Sequence, residues 1–259
     1  MQVLILGLIA VIYLIDLAVT LINDRYSRTP LPEQARGIYD DEKYAKWLDY
    51  SMATLRHSIL VKTVLTALLL ALLAFGAFGL LERWTNAWFS HPLLQTLAFL
   101  GAFGLLNLII GLPFNYYKTF VIEEKFGFNK TTHKTFLFDL LKSILLAAGL
   151  GSGVVSLLYF LYSTFIEQLW LFIVSAWGAL SVLILVLFVL NTKVFIKLFN
   201  KLTPLPEGEL RDEIETLASR VGFNVRAISV MDASKRSTKL NAFFSGLGKT
   251  REVLLFDTL

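Results

Sequence analysis

Cysteine is absent from the 259 residues, which excludes disulfides and thiolate metal sites. Histidine is scarce. His57, His91 and His133 are the only three, and no two lie at metal-ligand spacing. Charge is thin too: Asp, Glu, Lys and Arg make up 17% of the chain, against about 25% in soluble domains. What replaces charge is apolar: 56% of residues, with a mean hydropathy of +0.64. The net charge of +4 is a small excess. Its Lys and Arg cluster in segments between apolar runs, which fits membrane orientation and not nucleic-acid binding.

Crossing a hydrocarbon core of about 30 Å takes about 20 apolar residues in a helix. Five stretches qualify: 3–22, 63–81, 92–112, 140–162 and 169–190. No basic segment precedes the first, and Asn23-Asp24-Arg25 follows it instead of a small-residue cleavage site. It therefore reads as a retained anchor.

The intervening segments alternate in basic content. The one after the first span carries Arg25, Arg28, Arg36, Lys43, Lys46, Arg56 and Lys62, and the next only Arg83. The third has Lys118, Lys125, Lys130 and Lys134, the fourth none, and Lys193, Lys197 and Lys201 follow the fifth span. Every basic segment falls on one side, which the positive-inside rule makes the cytoplasm. The N-terminus is expected outside and the C-terminal tail inside. The compact loops suggest a bacterial inner membrane.

The predicted fold is an α-helical integral membrane protein: five transmembrane helices plus a small, incomplete cytoplasmic α+β segment. Residues 1–200 form the five-span region, with cytoplasmic loops 23–62 and 113–139, and 201–259 begin a cytoplasmic domain. The second half of the first loop, 40–57, has the pattern of an amphipathic helix leading into the second span. Inside the spans, Asp16 faces either an aqueous cavity or a partner helix. Gly101, Gly104, Gly149, Gly151 and Gly153 suggest close helix packing.

In the tail, Leu210, Ile214, Leu217 and Val221 mark one face of a helix that Gly222 ends. Strands are expected at 227–231, 240–244 and 252–256. The last is apolar throughout and needs cover on both faces. Asp257-Thr258 resembles a helix N-cap, so the domain reads as incomplete at Leu259.

Much chemistry is missing. There is no His-Glu-x-x-His, the helical pair of zinc ligands with a Glu between them that activates water. Gly246-Leu247-Gly248-Lys249-Thr250 resembles the end of a phosphate loop, but Phe243 occupies the first required glycine position, so a tight turn is the better reading. Glu123 and Glu124 point apart on one helix, unlike an acid/base pair.

Three strings carry a resemblance: 120–132 (FVIEEKFGFNKTT), 201–210 (KLTPLPEGEL), and SKRST at 234–238 continuing through NAFFSG at 241–246 to VLLFDTL at 253–259. In order and spacing they resemble the CAAX prenyl protease (Ste24-like) family of zinc metalloproteases, peptidase family M48, over essentially the whole chain. The resemblance implies the N-terminal part of a membrane zinc metallo-endopeptidase, truncated before the zinc motif. Zinc would belong to the intact parent protein, with none bound by this chain. Expected partners are the lipid bilayer, a peptide or membrane-protein substrate, prenylated or not, and the missing C-terminal part of the same protein.

The resemblance further implies that Asn241, Ala242 and Phe243 form a substrate-binding edge strand. It carries over no catalytic or metal residue, so this chain alone is expected to be inactive. Two other readings compete: a truncated, non-catalytic membrane partner or regulator, and a transporter fragment. The transporter reading has little beyond Asp16 to supply intramembrane ionisable groups.

Overall fold

The computed structural model describes residues 1–28, 30, 40–246 and 251–259. Arg36 and the turn expected at 247–249 lie outside the described residues. The chain divides into two compact units, Met1–Phe126 and Gly127–Leu259. The fold is mostly helical, and among the described residues five helices are long and apolar enough to cross a membrane. The protein is a multi-pass integral membrane protein.

The first unit holds α1 (Gln2–Ser27), α2 (Asp41–Ala74), α3 (Ala77–Trp88), α4 (Pro92–Tyr117) and a π-helical segment, Lys118–Glu123. Asp40 starts α2: its carboxylate accepts from the Lys43 amide at 2.7 Å, and Asp41 and Glu42 follow in the first turn, where the helix dipole favours negative charge. That amide, followed by the Lys43 ammonium, holds the Asp40 carboxyl below its ordinary range.

The expected amphipathic helix and second span are thus one 34-residue helix. The expected span 63–81 crosses its end. Gly76 adopts a left-handed φ of 68° and separates α2 from α3, a conformation that favours glycine.

The expected loop 113–139 is largely helical. Pro113 lies inside α4, the π turn continues to Glu123, and α5 starts at His133. A membrane helix tolerates proline where local π geometry and neighbouring groups re-satisfy the backbone.

Polar ties join the helices of this unit. Gln2 donates to the Leu73 carbonyl at 2.7 Å, and the Tyr13 and Thr63 hydroxyls meet at 2.7 Å. Lys62 Nζ lies 2.8 Å from Asp16 Oδ2. Asp16 is therefore a helix-pairing carboxylate. Tyr50 donates to Glu123 at 2.7 Å, and His57 stacks on Tyr117 at 5.8 Å.

The second unit holds α5 (His133–Phe165), α6 (Leu169–Leu190), a π segment (Asn191–Ile196) and the short α7 (Lys197–Phe199). Thr132 caps α5 by accepting from the Thr135 amide. An added Cβ at Gly101, Gly104, Gly149, Gly151 or Gly153 meets no atom within 4 Å. These glycines lie on open helix faces, so the expected close packing is not found there.

The α+β part of this unit comprises β1 (Leu202–Pro204), α8 (Glu209–Arg220), β2 (Ala227–Met231), β3 (Ala242–Ser245) and β4 (Glu252–Phe256). The sheet order is β1-β2-β4-β3. β2 and β4 are parallel, while the outer strands pair antiparallel. The four strands exceed the three expected. β1 is too short to show alternation, and Pro204 is tolerated because β1 is an edge.

Ile228, Met231, Ala218, Ala233 and Leu254 form the core around the sheet, and Leu254 is 0% exposed. The sequence places an apolar run on β4, and the structure buries its middle.

Candidate functional site

The three predicted site residues lie at one edge of the sheet. Ala242 and Phe243 are in β3 and Asn241 immediately precedes it. β3 pairs with β4 on one side: Ala242 opposite Leu255, Phe243 opposite Leu254, Phe244 opposite Val253. Among the described residues no strand pairs with its other side.

The Phe256 amide donates to the Asn241 carbonyl at 3.0 Å. Antiparallel pairs alternate between hydrogen-bonded and non-bonded positions. Asn241, Phe243 and Ser245 therefore turn their backbone groups toward β4, while Ala242 and Phe244 turn theirs to the open edge. Of the three residues expected at this edge, Ala242 offers main-chain groups outward, and Phe244 is the one the sequence reading omitted. No side-chain pattern reports which residue of a strand belongs to which ladder.

Side chains alternate as well. Phe243 packs edge-on against Phe256, with centroids 6.3 Å apart, and Phe244 against Phe223 at 5.2 Å. Phe244 is still 64% exposed.

The segment before β3 is held by polar groups that sequence reasoning missed. Arg236 Nε and Nη2 grip the Asp139 carboxylate at 2.7 and 3.0 Å. Nη1 donates to Asn200 Oδ1 at 3.1 Å, and Nη2 also donates to the Phe199 carbonyl at 2.6 Å. The Arg236 carbonyl accepts from the Lys130 amide and the Thr131 hydroxyl. The flat, always-charged guanidinium suits such a many-partnered site.

Asp139 falls at the end of the expected loop 113–139, where composition gives it no role. It lies in the second turn of α5. Ser234 donates its amide and hydroxyl to the Asp257 carboxylate at 2.7 and 2.5 Å. That carboxylate expected as a helix cap thus closes the 232–238 turn.

Asp232 accepts from the Lys201 amide at 2.6 Å and pairs with Lys235 at 2.5 Å. Burial works to raise the Asp232 pKa, but Lys235 and the Lys201 amide outweigh it and hold the carboxyl below its ordinary value. Among the described residues no group of three or more His, Cys, Asp or Glu is placed to hold a metal ion. The described side chains by themselves therefore do not fit a zinc centre.

A membrane region of this helical content, followed by a small mixed sheet, matches known proteins in sequence and in structure. Residues 23–201 match the family profile described as CAAX prenyl protease N-terminal, five membrane helices. Residues 204–259 match peptidase family M48. The chain belongs to the CAAX prenyl protease family of M48 metallopeptidases.

Among its relatives, the probable CAAX prenyl protease 1 of Schizosaccharomyces pombe is 37% identical over 233 residues, covering 85% of this chain and 48% of the relative. The CAAX prenyl protease 1 of Saccharomyces cerevisiae is 36% identical, covering 91% and 54%. The Homo sapiens homolog is 34% identical, covering 89% and 50%. The crystal structure of S. mikatae Ste24p superposes with a TM-score of 0.88 at 32% identity, over 100% of this chain and 61% of that one. The chain spans about half the length of the curated relatives it matches.

Proposed function

We propose that these residues are the N-terminal membrane part of an integral membrane zinc metallo-endopeptidase, and that the open edge of β3 receives its substrate as an extended peptide. The observation that carries this reading is the free edge itself, with the amide and carbonyl groups of Ala242 and Phe244 facing outward. Strand addition binds a peptide through main-chain hydrogen bonds largely regardless of its side chains. The relatives' names, CAAX prenyl protease, support prenylated CAAX peptides as the substrate class. Asn241 and Phe243 support the strand from its β4 side.

Zinc and the groups that activate water belong to the longer protein, so the 259 residues alone are inactive. By the distribution of Lys and Arg, the N-terminus lies outside and the sheet lies in the cytoplasm; the compact loops support a bacterial inner membrane. A non-catalytic membrane partner is the second reading, favoured by the lack of His-Glu-x-x-His in these residues.

The test uses the purified chain in detergent with a fluorescent prenylated CAAX peptide. Saturable binding without hydrolysis is expected. Ala242→Pro should abolish that binding, because it removes an outward N–H while sparing the ladder to β4. Hydrolysis with stoichiometric zinc would overturn the inactivity. Binding indifferent to Ala242→Pro would overturn the role of the edge.

A further inference from the structure

β3 is suspended between two polar ties to the segment that follows α6. At its C-terminal end, Asn191 Nδ2 donates to the Ser245 hydroxyl at 3.3 Å, and Ser245 is only 5% exposed. Upstream, Arg236 reaches Phe199, Asn200 and, on α5, Asp139. The two ties flank the π segment Asn191–Ile196 and α7.

The strand's approach is fixed along its length. Asn129 and Ser237 form an antiparallel bridge. The Thr238 amide donates to the Phe128 carbonyl at 3.2 Å, and its hydroxyl to the Gly127 carbonyl at 2.9 Å. Lys239 lies over the Phe128 ring at 5.0 Å. The Thr258 hydroxyl donates to the Lys239 carbonyl at 2.9 Å.

Arg236 is the member that spans the most structure. Its side chain joins α5 to the chain beyond α6, and its carbonyl joins the 129–131 turn. Both donors to the Arg236 carbonyl and all four acceptors of its guanidinium lie outside the sheet. The sheet core around Leu254 makes no use of them.

We propose that Arg236 is a positioning residue: by gripping Asp139, Asn200 and the Phe199 carbonyl it holds the leading end of β3 against the ends of α5 and α6, so that the open edge meets a peptide at a fixed place beside the membrane helices. The proposal rests on the reading of β3 as a peptide-binding edge. Substrates whose extended segment adjoins a bilayer-embedded portion are the ones such a fixed edge would favour. A loose edge would take the same peptide with lower affinity, since the strand must first be ordered.

The test compares Arg236→Ala, Arg236→Lys and Asp139→Asn with the parent chain in one detergent. Hydrogen exchange is followed by segment, and binding is measured with the fluorescent prenylated peptide. In Arg236→Ala, exchange over 237–245 should rise roughly tenfold or more, since several charge-assisted bonds are lost. β2 and β4 should keep their protection, and the peptide should bind more weakly by a comparable factor. Arg236→Lys, which keeps the charge but not the fork, should recover part of both effects, and Asp139→Asn should show both in milder form.

Unchanged exchange over 237–245, or equal loss of protection across the whole sheet, would overturn the proposal. Peptide binding that is lost in Ala242→Pro but intact in Arg236→Ala would overturn the positioning role alone. Binding indifferent to both substitutions would overturn the edge reading and the positioning role with it. Should Arg236→Ala not fold, Asn200→Ala and Asp139→Asn carry the same comparison.

Discussion

In the unit Met1–Phe126, polar side chains tie helices in separate pairs. Gln2 reaches the end of α2, Tyr13 meets Thr63, Asp16 meets Lys62, and Tyr50 meets Glu123. In the unit Gly127–Leu259, the ties converge. Arg236 alone serves α5, the chain after α6 and the 129–131 turn. Separate pairs act nearly independently, so losing one should cost little and spread little. Groups sharing one partner act as a unit, and their contributions do not add. Among the described residues, only the second unit has a sheet, with a fully buried side chain at its centre.

The largest expected effect tests that last contrast. Leu254→Ala removes the 0% exposed centre of the sheet and should destabilise the α+β part by about 2–5 kcal/mol. Hydrogen exchange would register this as lost protection in β2 and β4, with α1 and α2 unaffected. Equal loss in α1 and α2 would mean that the two units unfold together.

The next effect is smaller. Asp16→Asn breaks the Lys62 pair, but interhelical polar contacts in membranes average about 0.6 kcal/mol. Reversible unfolding in mixed micelles should give a loss of that order, and Asp16→Asn combined with Lys62→Gln should cost no more than the single change. A single-variant loss above about 2 kcal/mol would break the picture of independent, dispersed ties.

The smallest concerns acid. The Asp232 carboxyl titrates below its ordinary 3.8 in the folded chain. Its contribution is therefore present above that value and is lost as pH falls through the lowered pKa. In an acid titration from about pH 5 to about pH 2, the 232–238 turn should loosen toward the acid end. Asp232→Asn should be looser at neutral pH and should change less across the titration than the parent chain, the Asp257 and Asp139 carboxylates that hold the same turn being retained.

Regular patterns made much of the fold legible. Uninterrupted apolar composition delimits α6 at the bounds observed, Leu169–Leu190. The 3.6-residue spacing of Leu210, Ile214 and Leu217 marks α8, and the apolar runs mark β2 and β4 at Ala227–Met231 and Glu252–Phe256. These features are local, and local propensity decides them.

The failures are equally specific. Pro113 and the charged 118–125 stretch look like a loop because composition does not report π geometry. Gly76 is one glycine among 16, and its left-handed backbone is set by the turn it makes. At the candidate site, the edge position of β3 came from resemblance, and its ladder register from pairing with β4. The Arg236 network joins residues 97 and 37 positions apart. Long-range partners leave no periodic trace. The nearest available sign was an arginine between two strands and an aspartate early in a span.

The π segment Asn191–Ile196 has a consequence for how this chain tolerates change in length. A π turn holds one residue more than the α-helical path it replaces. Rewinding the segment into a plain α-helix with no residue removed would rotate everything downstream by about 100°. Phe199 and Asn200 would then face away from Arg236, and the angular phase between α6 and the sheet would be lost. A single-codon deletion absorbed by the π turn keeps that phase, whereas the same deletion in the regular turns of α6 resets it. The segment behaves as a vernier, keeping membrane helix and sheet edge in step through residue count.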